Sequence, residues 1–129
     1  MDRIARVESF LGRNVALVKG ALAWIHLGAN FAAAERGSLR LQSSDAELRQ
    51  LALSALQRAG AAPDGETPPG ARPGGEARNI HDGAGRYVSL IGGNGLFHHP
   101  DDRWPHAVDL QKTARIAGAL AELAVRLAA

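Results

Sequence analysis

The chain has 129 residues, 46% apolar and 22% charged, with 15 Lys or Arg against 13 Asp or Glu and a formal net charge of +2. That length and apolar content suit one packed core and exclude a wholly disordered chain, so a single domain over residues 1–129 is expected. Because cysteine is absent, disulfides, thiolate zinc sites and cysteine nucleophiles are excluded, and any metal would need His, Asp or Glu.

The pI of 9.7 reflects arginines spread along the chain rather than a basic block. Arg3, Arg6, Arg13, Arg36, Arg40 and Arg49 are isolated and aromatics make up 5%, which argues against nucleic-acid binding. The N-terminus carries charges within its apolar stretch and no small-residue cleavage site, unlike a secretory signal. No run approaches the roughly 20 apolar residues of a membrane span, so a cytoplasmic protein without membrane partners is expected.

In chain order, Ile4, Ala5, Val7 and Phe10 fall near helical spacing and predict a weak helix from Asp2 to Phe10, ended by Gly12. Leu22–Leu27 is a compact apolar run stopped by Gly28 and Asn30, as expected of a strand buried on both faces. Val15–Ala21 would extend it or form a separate element. Leu39-Arg40-Leu41-Gln42 alternates as a half-exposed strand does. Ser44-Asp45-Ala46-Glu47 offers a capping box for a helix over 45–59, with Leu48, Leu51, Ala52, Ala55 and Leu56 on one face and Gly60 terminating it in a left-handed conformation. Residues 61–75 hold four prolines and four glycines and predict a mobile loop or lid. Asn79–Gly83 reads as a turn feeding a buried strand at Tyr87–Ile91. Asp109 would cap a final amphipathic helix running to the C-terminus. Strands alternating with helices indicate an α/β fold with a layered sheet.

The densest polar constellation is Phe97–His106, just after the Tyr87 strand and before the last helix, where open α/β sheets place ligand sites. Its imidazoles and carboxylates are donors that zinc prefers; composition alone favours a proline-ordered turn, with Asp101 or Asp102 capping backbone amides and the histidines solvated. Trp24 reads as core and His26 as a hydrogen-bonded core histidine. Trp104 would cover either the crevice or the final helix. Arg78 and Arg86 could bind a substrate carboxylate.

Phe97-His98-His99-Pro100-Asp101-Asp102, followed by Val108-Asp109-Leu110-Gln111-Lys112-Thr113-Ala114-Arg115 and an Ala/Leu helix, resembles the closing segment of the M28 family of zinc metallopeptidases, which are aminopeptidase-like exopeptidases. That family shows an aromatic residue, His, Thr, Pro, any residue and Asp, then Ile-Asp and a final helix. The resemblance implies that His98 is a zinc ligand and Asp102 a supporting residue. Ala23–Ala29 resembles the family's core strand Ile-Asn-Leu-Asp-Met, whose Asp is another ligand; its place falls on Gly28. Gly75–Ile80 stands where many members carry Ser-Asp-His, and no stretch before Ala21 supplies the first His, the bridging Asp or the Glu-Glu pair.

The fold so implied is a partial three-layer αβα sandwich with a mostly parallel sheet. The implied function is a truncated or degenerate exopeptidase domain without peptidase activity alone. Two alternatives stand beside it: a binding or assembly module, and one part of an aminopeptidase completed by a partner that carries the remaining ligands. Zinc is the implied cofactor, and a peptide the implied substrate or ligand. His99, His81, Asp82 and Asp101 could complete an improvised metal site around His98, with Arg86 and Trp104 at the crevice. An uncovered sheet edge would favour a homo-oligomer.

Overall fold

The structure, a computed structural model, describes residues 3–129. The elements in chain order are α1 (Arg3–Arg13), α2 (Val15–Gly20), β1 (Trp24–Leu27), β2 (Ser38–Ser43), α3 (Ala46–Arg58), β3 (Gly65–Glu66), α4 (Ala77–Asp82), β4 (Tyr87–Gly93) and α5 (Leu110–Ala128). This is an α/β fold built on one four-stranded sheet of order β1-β4-β2-β3. β1 pairs parallel to β4 and β3 parallel to β2, while the central β2–β4 pair is antiparallel.

Side-chain alternation along the strands sorts the sheet into two faces. Leu39, Leu41, Val88 and Leu90 lie on one, packed against Leu48, Ala52, Ala55 and Leu56 of α3 and Ile116, Ala119 and Leu123 of α5. Each fully buried leucine or isoleucine here contributes about 1.5–3 kcal/mol by leaving water. On the other face Tyr87 packs with Leu11, Val18, Ala77 and Ile80, and Val7 and Trp24 close around them. Trp24 is thus a core residue; its indole Nε1–H donates to the Val18 carbonyl at 3.2 Å.

Several expectations are corrected. The expected start at Asp2 lies outside the described residues, and α1 runs through Gly12 to Arg13; a single glycine costs a helix only about 1 kcal/mol. Val15–Gly20 is a helix. The capping box is displaced by one residue. Ser44 is drawn into the sheet, its N–H donating to the Tyr87 carbonyl and its Oγ accepting from the Tyr87 N–H, each at 3.0 Å. Asp45 caps α3 instead, accepting from the Leu48 N–H at 2.9 Å. Gly60 does adopt the left-handed conformation, at φ +72°.

Residues 61–75 are laced along β2 rather than hanging as a loop. The Leu39 N–H donates to the Asp64 carboxylate at 2.7 Å, and the N–H groups of Asp64, Thr67 and Gly70 donate to the carbonyls of Leu39, Leu41 and Ser43 at 2.8–3.0 Å. An edge strand needs donors on one side only; Pro68 and Pro69 fall between the donating positions and Pro63 precedes the first. Asn79–Gly83, read as a turn, is the end and C-cap of the short helix α4. The Asp109 cap and final helix stand as expected, with Asp109 accepting from the Lys112 N–H at 2.9 Å. Among the described residues no helix is long and apolar enough to cross a membrane.

Candidate functional site

The sequence-predicted site residues are divided between the two ends of β4. Arg86 immediately precedes the strand and His98 lies five residues beyond it, so the strand itself, about 20 Å long at roughly 3.3 Å per residue, stands between the groups.

At the leading end, His81 Nδ1 is 3.2 Å from the Tyr87 hydroxyl, and Asp82 accepts a two-pronged bond from Arg72 at 2.8 and 3.0 Å. Arg86 clasps two carboxylates of α3, reaching Asp45 at 3.1 and 3.2 Å and Glu47 at 3.1 Å. His81 and Arg86 border one shallow cleft of about 620 Å³ with Asp45 and Glu47. Both acidic residues already neutralise the guanidinium that was expected to meet a substrate carboxylate.

At the trailing end, His98 is exposed with a left-handed φ of +63°, its ring centroid 4.0 Å from that of Phe97. His99 Nδ1 accepts from the Asp101 N–H at 3.2 Å and lies 3.5 Å from the Asp101 carboxylate. Asp102 accepts from the Asn94 side chain at 3.2 Å, and Asn94 in turn accepts from Asn30 at 3.4 Å. This row ties the 94–109 segment to the turn after β1. Trp104 is 64% exposed, turned away from any core.

Among the described residues, no three His, Cys, Asp or Glu side chains form a group that could hold a metal ion. The donor set does not fit zinc. His98 brings one imidazole, Asp102 is bound to an amide, and His81 and Asp82 belong to the far end of β4. Gly28 has no room for a side chain: a Cβ there would lie 2.5 Å from Cγ2 of Ile91. The obstacle is steric, since no real Cβ contact is that short.

The structure assembles a different polar site, on the face of the sheet beneath α1 and α4. His26 from β1, Gln42 from β2 and Ser89 from β4 form a row across three strands, closed at one end by Glu76. His26 Nδ1 is 2.8 Å from Ser89 Oγ, His26 Nε2 is 3.2 Å from Glu76 Oε2, and Gln42 Nε2 donates to Ser89 Oγ at 3.1 Å. Gly74 reads the Gln42 amide from both sides: its N–H donates to Oε1 at 2.8 Å, and its carbonyl accepts from Nε2 at 3.3 Å.

That backbone contact orients the Gln42 amide. With the Gly74 N–H aimed at Oε1, Gln42 donates toward Ser89. The Ser89 hydroxyl then has His26 Nδ1 within reach as an acceptor, an arrangement that places an imidazole proton on Nε2, toward Glu76. Gly75 permits the close approach of this segment, with φ +66° and only 3.4 Å between its Cβ position and His26 Cε1.

Ser89 and Gln42 are sealed from solvent, whereas the His26 and Glu76 side chains are 13% and 23% exposed. The exposed end borders two adjoining hollows of about 300 and 350 Å³, both lined by Arg6, Val7, His26 and Glu76. Phe10, Leu11, Trp24 and Ile80 make the wall of one apolar; Leu27 and Gly28 bound the other. An apolar side chain with a polar neighbour is the chemistry such walls accept. His26 is the hydrogen-bonded histidine expected, but the row was not foreseen as a site. Part of its signal is present in the sequence: His26 and Ser89 each interrupt an otherwise apolar strand, and polar groups buried there must find partners.

No family model, curated protein or solved structure matches this chain.

Proposed function

We propose that this chain is an M28-exopeptidase-like domain that does not turn over peptides by itself and works as a peptide-binding module. The observation that carries the reading is Gly28, whose Cβ position is filled by Ile91 where the family's strand presents a metal-binding carboxylate. Hydrolysis by two zinc ions needs bridging and terminal ligands together with a base for the bound water. His98 alone supplies none of that set beyond one nitrogen.

The binding half of the reading is supported by the hollows beside β1. Val7, Phe10, Leu11, Trp24 and Ile80 offer an apolar recess for one side chain, and His26, Glu76 and Arg6 offer hydrogen bonds to a peptide backbone or polar neighbour. The test pairs two readouts on zinc-incubated protein: hydrolysis of aminoacyl-nitroanilides, and NMR shifts on titration with short peptides bearing one apolar side chain. No hydrolysis is expected, with shifts centred on Trp24, His26 and Glu76. Turnover abolished by His98→Ala would overturn the first half, and an undisturbed β1 the second.

A further inference from the structure

β1 and β3 are the two edges of the sheet, and they are treated in opposite ways. β3 is two residues long and flanked by Pro63, Pro68 and Pro69. Glu66 is held by Arg49 at 2.7 and 3.0 Å, and its carbonyl accepts from Arg40 at 2.9 Å. Short length, prolines and charges are the devices that keep an edge from pairing with another chain. β1, four residues long, carries neither proline nor charge. Residues 21–29 read Ala-Leu-Ala-Trp-Ile-His-Leu-Gly-Ala, with no proline, lysine, arginine or carboxylate, which is the composition of an interior parallel strand. Leu22, Ile25 and Leu27 nevertheless stand 69%, 37% and 45% exposed.

The register shows what such an edge can accept. The N–H groups of Trp24 and Gly28 donate to the Arg86 and Leu90 carbonyls of the β4 side. By strand alternation the N–H and C=O of Ile25 and Leu27 therefore face outward. We infer that this edge pairs with β1 of a second copy, antiparallel about a twofold axis at His26.

The strand is self-complementary in that arrangement. The axis sets Ile25 of one copy opposite Leu27 of the other in two equivalent hydrogen-bonded pairs. Apolar side chains then meet on one face, a favourable cross-strand match, with no like charges opposed. His26 is the strand's single ionisable side chain; the axis sets it opposite its own copy on the other face, where each ring is held by its own Ser89 and Glu76. Each adjoining hollow carries one cation, Arg6, and one anion, Glu76, so two facing copies are matched in charge. The two four-stranded sheets become one of eight, and the twofold closes the assembly at a dimer.

Two measurements on the full chain test this. Sedimentation velocity over a dilution series is expected to show a dimer that dissociates on Leu27→Lys, with the far-UV spectrum unchanged. Because the chain lacks cysteine, Ile25→Cys and Leu27→Cys can be mixed without background. A hydrogen-bonded antiparallel pair sets Cα atoms about 5.5 Å apart, within disulfide reach. The mixture is expected to cross-link under mild oxidation, and each variant alone to remain uncrosslinked. A monomer at every concentration, a dimer indifferent to Leu27→Lys, or cross-linking of either single variant as readily as the mixture would overturn the inference. Should Leu27→Lys unfold, the cross-linking result decides.

Discussion

Ser89 Oγ lies 2.8 Å from Nδ1 of His26 and is sealed from solvent, so the imidazole is the acceptor within reach of the serine's proton. Gln42, its amide fixed by Gly74, occupies the serine's acceptor side. The row therefore transmits one proton arrangement from the Gly74 backbone to Glu76. The nitrogen-15 spectrum of His26 is expected to show the Nε2–H tautomer. An Nδ1–H tautomer would mean that Ser89 donates elsewhere.

Removing Ser89 leaves His26 Nδ1 unpaired and takes one of two acceptors from Gln42 Nε2, and Ser89→Ala is expected to destabilise by about 1–3 kcal/mol. Ser43 is its counterpart: among the described residues its buried Oγ has no hydrogen-bond partner. Ser43→Ala should therefore be neutral or stabilising by about 1 kcal/mol. Urea melts of the two variants measure the contrast, and an equal loss in both would contradict it.

Gly28→Ala is expected to cost about 1–3 kcal/mol, because the new methyl meets Cγ2 of Ile91 at 2.5 Å and the core must shift. The cost should shrink in an Ile91→Ala background, where that methyl is gone. A double-mutant cycle reads the coupling directly, and additive losses would show that Ile91 is not the obstacle.

Burial pushes the Asp45 carboxyl up, but hydrogen bonds from Arg86, the Leu48 N–H and Ser44 outweigh it and bring it below its ordinary value. A carboxyl lowered in the folded state holds fewer protons there than in the unfolded chain, so its contribution is full above the unfolded value near 3.9 and is lost as pH falls through the lower folded one. Asp45→Asn should flatten the acid limb of stability against pH in that window. An unchanged limb would show that the cap and the Arg86 clasp do not respond to charge.

What the sequence revealed and concealed follows the range of the interactions. The helices α3 and α5 were legible because caps and periodicity lie within a turn of each other, as Asp109 and Lys112 do. The Ser44 cap misled because its competitor, the Tyr87 backbone, is 43 residues away. β1 read as an interior strand, and only the sheet order reveals it as an edge. Residues 61–75 looked structureless because their order comes from β2 rather than from their own composition. The His26 row was hidden most completely, since positions 26, 42, 76 and 89 share no local spacing, and only the fold brings them together. The resemblance around His98 drew attention to one end of β4, where the side chains stand exposed.

The central claim is that position 28 is closed and His98 stands without companion ligands. It is tested most directly by metal analysis of protein incubated with zinc and then dialysed. The account predicts substoichiometric zinc, unchanged by His98→Ala. One or more zinc ions retained per chain and lost in His98→Ala would contradict it.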